Sequence, residues 1–115
     1  MKRLAAALLL CAPAAGAEQS AYSAAISAYI DCGDDYVATA LRMNWSATAG
    51  DLADAALESC DGKAKLIERT VISDPDIRMP ADDAEKAVEH ITASLRRTLV
   101  RHVVEYRNRP LSKNK

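Results

Sequence analysis

The chain has no phenylalanine and one tryptophan, so its interior has to be assembled from Ala, Leu, Ile, Val and four tyrosines. No glycine-rich phosphate loop occurs, which withdraws the sequence argument for a nucleotide site. No C-x-x-C pair is present, and redox-active dithiols are usually spaced that way. Nothing after residue 17 is long and apolar enough to cross a bilayer as a helix. No nucleophile, base and orienting group stand in a recognisable constellation, so the chain reads as non-catalytic. Asp74, Asp76, Asp82 and Asp83 do not follow the spacing of a calcium loop, and turn formation or helix capping accounts for them. Neither a metal nor another cofactor is expected. There are no internal repeats and no low-complexity run beyond the N-terminal segment.

That segment is informative. Lys2 and Arg3 precede the short apolar run "LAAALLLCA", and Ala15 and Ala17 occupy A-x-A positions. This is the layout of a secretory signal peptide cleaved after Ala17, directing the protein to the periplasm. A secreted protein is one alternative, and a lipid anchor on Cys11 is another. Leu10 argues against the anchor, because lipoprotein signals resemble a pattern with a small residue before the cysteine. The division expected is 1–17 leader, 18–109 a single helical domain and 110–115 a basic flexible tail. "NWS" at 44–46 matches a glycosylation sequon, which matters only in a eukaryotic host.

Removing the leader takes two of the 15 basic residues, leaving 13 against 16 acidic ones. Charge is then segregated. Residues 18–62 hold eight acids and one base, Arg42, whereas residues 63–115 hold twelve bases and eight acids. Such asymmetry fits neighbouring helices that attract each other better than a nucleic-acid surface. Fewer than 100 mature residues give one domain with a small core that benefits from a covalent staple.

Apolar spacing predicts three helices and an all-α fold. The first runs from about residue 19 to 43, with Tyr22, Ile26, Tyr29, Ile30, Tyr36, Val37, Ala40 and Leu41 on one stripe. After "NWSATAGDL", Thr48 and Asp51 resemble a capping box with Asp in place of Glu. The second helix carries Leu52, Ala55, Ala56, Ser59, Cys60, Leu66, Ile67 and Val71, with a kink expected at Asp61-Gly62. Lys63 falls on that stripe and has to snorkel. "SDPDIRMP" breaks the chain before the third helix, whose buried face is Val88, Ile91, Leu95, Leu99, Val103 and Tyr106. His102 falls in the middle of that face and reads as a core or boundary histidine, while His90 lies on the polar side.

The stretch "YIDCGDDYVATAL" at 29–41 tests whether a metal or a staple is present. With Tyr22 at zero, Asp31, Asp34 and Asp35 fall at about 180°, 120° and 220°, off the apolar stripe, as a solvated face. Gly33 lies near the stripe's centre, where a missing side chain admits a close neighbour. Cys32 lies at its edge. If the first two helices form an antiparallel hairpin turning near Ser46, facing residues have numbers summing to about 92. Cys32 and Cys60 satisfy that sum, and they are the two cysteines left after the leader is removed. The fold predicted is a small three-helix bundle on an antiparallel hairpin stapled by Cys32–Cys60.

The segment "C…YVATALRMNWSATAGDLADAALESC", through Cys32, Ala55, Ala56 and Cys60, resembles small exported two-cysteine helical proteins of proteobacteria. The likeness covers mainly residues 29–60 and implies no function.

One surface exceeds the needs of a fold. On the third helix, Val100 and Val104 form a second apolar strip about opposite the core stripe, with Arg96, Arg97, Arg101, Arg107 and Arg109 around or after it. The function read from this is an interaction module in the periplasm, with a small enzyme or metal-binding protein as a lesser alternative. Its contact would be an unidentified protein partner, weak self-association against Asp31, Asp34 and Asp35, or an anionic lipid surface.

Overall fold

In the computed structural model, which describes residues 20–109, the protein is all-helical. Four helices follow in order: α1 Ala21–Arg42, α2 Ala49–Ser59, α3 Asp61–Ser73 and α4 Ala81–Arg107. The expected leader with Cys11, and the expected 110–115 tail, lie outside the described residues.

Local chemistry sets each boundary. Ser20 caps α1, its hydroxyl accepting the Ser23 N–H at 3.0 Å. Thr48 caps α2, accepting the Asp51 N–H at 3.0 Å. After α3, the Asp74 carboxylate accepts the Asp76 N–H at 2.8 Å and its carbonyl accepts from Ile77 and Arg78. The aspartate-rich breaker is thus a hydrogen-bonded turn, with Arg78 at φ 47°. Asp82 and Asp83 lie in the first turn of α4 and Arg107 in its last, each favourable to the helix dipole.

Among the described residues four helices stand where spacing predicted three. The second segment divides at Cys60 (φ −101°, ψ 15°), which closes α2 and opens α3. The break precedes the expected Asp61-Gly62 kink, and a Cβ at Gly62 would meet nothing within 4 Å. Breaking there rephases the stripe. α2 buries Leu52, Ala53 and Ala56, and α3 buries Ala64, Ile67 and Val71. Lys63 is therefore exposed and has no stripe to snorkel along, and Leu66 is exposed as well.

α1 packs on α2 and α3, and α4 packs on all three. The core includes Tyr29, Val37, Leu41, Leu52, Ile67, Leu95, Leu99 and Val103, with Ala53, Ala56 and Ala84 fully buried between helices. The Tyr29 hydroxyl is hydrogen-bonded to Thr92 at 2.8 Å, so the most buried aromatic leaves no polar atom unpaired. Gly33 is the close approach expected of it: a Cβ there would lie 3.2 Å from Leu99 Cδ1.

α4 departs from its predicted face. Its later buried residues, Leu95, Leu99 and Val103, step by four, so the buried line advances about 40° per step. This drift turns His102 out of the core and Val100 into partial contact with it. Tyr106, also assigned to the buried face, is 43 % exposed at the helix end, and Ile30 on α1 is exposed too.

Candidate functional site

Cys32 and Cys60 form the disulfide, with S–S 2.07 Å and Cα–Cα 6.0 Å, joining the middle of α1 to the α2–α3 joint. Cys60 is buried and Cys32 half-buried. Beside the bridge opens a groove of about 550 Å³ lined by Cys32, Asp35, Tyr36, Thr39, Ala40, Met43, Trp45, Ser59 and Cys60.

The end of α1 builds this groove. Trp45 N–H donates to Ala40 O at 3.1 Å and Asn44 N–H to Leu41 O at 3.1 Å, with Asn44 left-handed at φ 59°. This is a Schellman closure, in which the residue after the left-handed position folds back over the last helical turn. Trp45 is thereby returned towards Tyr36, their ring centroids 6.1 Å apart and planes tilted by 49°. Met43 and Trp45 stay 74 % and 49 % exposed, a large apolar outlay on a core this small. From the far end of the chain, Arg107 donates to Trp45 O at 2.6 Å and Ala47 O at 2.7 Å, fixing the turn from α4.

The residues singled out from sequence are dispersed by comparison. Val104 is 43 % exposed, but Val100 is half-buried against the core. Arg96 forms a two-point pair with Asp54, at 2.7 and 3.3 Å. That hydrogen bond, reinforced by the charge of Arg96, holds the Asp54 carboxyl below its ordinary value. Arg107 is engaged by backbone carbonyls. Arg97 and Arg101 are exposed and in no ion pair among the described residues. Arg109 lies over the Tyr106 ring at 5.6 Å.

The aspartate face is also revised. Asp31 and Asp35 are exposed, but Asp34 is half-buried where α4 passes over α1. Its Oδ1 is shielded from solvent without a hydrogen bond and lies 3.6 Å from His102 Nδ1, within ion-pair reach. His102 is therefore a rim residue rather than a core one. No cluster of three or more metal-ligating side chains occurs among the described residues. A second groove, about 500 Å³, runs between α4 and the α2–α3 joint with Glu58, Asp61, Glu68, Glu85 and Glu89 on its walls.

The sequence reading missed the aromatic groove. Spacing placed Tyr36 on the core stripe, and "NWS" entered only as a sequon and as the hairpin turn near Ser46. The available signal was an Asn just past the last helical turn followed by a large apolar residue, the pattern of a left-handed cap and its hydrophobic return. No protein-family model matches the chain, nor does any curated protein or solved structure.

Proposed function

We propose that this protein is an exported, non-catalytic interaction module of the periplasm, and that the Tyr36–Met43–Trp45 groove is its recognition surface. The observation that carries the reading is an open, apolar, aromatic-walled groove whose volume, about 550 Å³, suits a ligand or a partner's anchoring group. Half-exposed Trp and Tyr supply large contact area at low entropic cost. The groove's supports are fixed in advance by the disulfide, the Schellman turn and Arg107, so little ordering remains to be done on binding. In this reading α1 and the α2–α3 segment act as an antiparallel hairpin on three helical layers, with the bridge as its staple. Export rests on the leader and accords with a disulfide of this kind.

The test is in-cell photocrosslinking from position 43, compared with position 104. A defined adduct from 43, lost on Trp45→Ala, is the expected result. Adducts from 104 with none from 43 would move the recognition surface to α4.

A second reading has its own observation. Arg97 and Arg101 are in no ion pair among the described residues and lie about two turns and one turn before the exposed Val104. These suit an anionic lipid surface or weak self-association. Added salt should abolish attachment to anionic vesicles. Sedimentation over a concentration series tests the dimer, which Val104→Asp should dissociate.

A further inference from the structure

We infer that α4 pairs with the α4 of a second copy of this chain, antiparallel and centred on Ala93; this deepens, and rests on, the self-association reading of α4, and leaves the Tyr36–Met43–Trp45 groove out of the contact.

The pairing is written in a ladder of charge. Every fourth residue of α4 from 85 to 101 reads Glu85, Glu89, Ala93, Arg97, Arg101. All of them are exposed, and none of the charged ones is in an ion pair among the described residues. Lys86 and Glu105 lie within a turn of the ladder and form an ion pair with neither half. Residues four apart are neighbours on a helix surface, so Glu85 stands beside Glu89 and Arg97 beside Arg101. Like charges at that spacing are unfavourable in a lone helix.

A second copy reverses the sign of those contacts, because the ladder is antisymmetric about its centre. A twofold axis at Ala93 sets Glu89 against the second copy's Arg97, and Glu85 against the second copy's Arg101. In an isologous contact each pair is made twice. Ala93, small and exposed, lets the helices approach closely at the axis. The ladder follows an i, i+4 row, which drifts about 40° around the helix at each step. Rows of this kind interlock when two helices cross at about −50°, a common packing angle, so the drift suits the contact. The inner pair, one turn from the axis, is the closer one, and the outer pair draws on the length of the arginine.

Charge favours this occupant over an anionic lipid surface. The acidic half of the ladder borders the groove of about 500 Å³, whose walls add Glu58 and Glu68. A headgroup layer drawn to Arg97 and Arg101 would meet those carboxylates too, whereas a second copy uses both halves.

The experiment is sedimentation equilibrium of the oxidised, exported protein at low ionic strength, for wild type, Glu89→Arg and Arg97→Glu. Wild type is expected to dimerise reversibly, and added salt to weaken the dimer. Each single substitution places like charges across the axis and should weaken its own dimer at least about tenfold, with helical content unchanged. An equimolar mixture of the two variants should recover the dimer, because the two chains then carry opposite charges at every facing step. Dimers indifferent to both substitutions, or weakened without recovery on mixing, would overturn the ladder. If Val104→Asp still dissociates such a dimer, the self-association reading of α4 stands. A monomer at the highest soluble concentration would overturn both, and its salt-sensitive attachment to anionic vesicles would assign the arginines to lipid.

Discussion

At the scale of single residues, the positions that matter most are those where a side chain is missing or a dihedral is unusual. Asn44 adopts φ 59°, a conformation that costs most L-residues about 1–2 kcal/mol and that Asn and Gly tolerate. Asn44→Val should therefore destabilise by about that amount, whereas Asn44→Gly should stay near wild type. Trp45 is the sole tryptophan, so a red shift of native-state emission in Asn44→Val would report loss of the Schellman return directly. Gly33 is constrained by space instead of angle. Leu99, 3.2 Å from the missing Cβ, is itself fully buried and has nowhere to retreat. Gly33→Val should cost about 1–3 kcal/mol in denaturant unfolding through overpacking. Of these two residues, sequence periodicity exposed the role of Gly33 because the stripe's centre can be computed from spacing. Asn44 acts through a turn that no periodicity encodes. Misplacing His102 and Val100 had a related cause: a stripe held at one angle ignores the drift that an i, i+4 ladder produces along a 27-residue helix.

Between elements, charge segregation resolves into specific contacts. The basic half of α4 meets an acid of α2 at Arg96–Asp54, and His102 of α4 lies 3.6 Å from Asp34 of α1. Of the attraction between neighbouring helices inferred from composition, Arg96–Asp54 is the charged contact among the described residues. Asp54 is held below its ordinary 3.8, so its contribution to stability is present above that pH and lost as pH falls through the lowered folded-state value. The pair is exposed to solvent and its contribution should be small. Arg96→Gln should lower stability at neutral pH, and the gap from wild type should close in acid, measured by urea unfolding at successive pH values. The α2–α3 break was only partly legible. Asp61-Gly62 offered the weaker helix propensity, yet the chain turns one residue earlier, at the cross-linked Cys60. Propensity is a bias of fractions of a kcal/mol that tertiary constraint overrides.

For the whole molecule, the disulfide is the largest single constraint on the unfolded chain. It closes a loop between residues 28 apart in sequence, which should stabilise the fold by about 3–4 kcal/mol. Replacing both cysteines by serine should lower the urea midpoint accordingly, while far-UV circular dichroism under native conditions stays helical. The proposed leader makes a mass prediction: the exported protein should begin at Glu18 and contain no free thiol. A diacylglycerol on Cys11 would show that the other signal class operates. The bridge itself was readable because turn position and cysteine numbering gave one register independently. The groove was not, because it arises where three segments meet, and each looks ordinary alone.

The Arg107 clamp carries a further consequence. Two carbonyls of the turn that bears Trp45 are held by a guanidinium 62 and 60 positions away, in the last turn of α4. Any occupant that steadies the turn must also favour the clamped end of α4, and thermodynamic linkage makes the influence mutual. Ligand should slow hydrogen exchange of the amides around Val104 to Asn108, though none of them touches the groove. Conversely, Arg107→Gln should weaken the occupant by the same factor that the ligand strengthens the clamp. Erosion at the chain's end would then register as lost affinity at its middle.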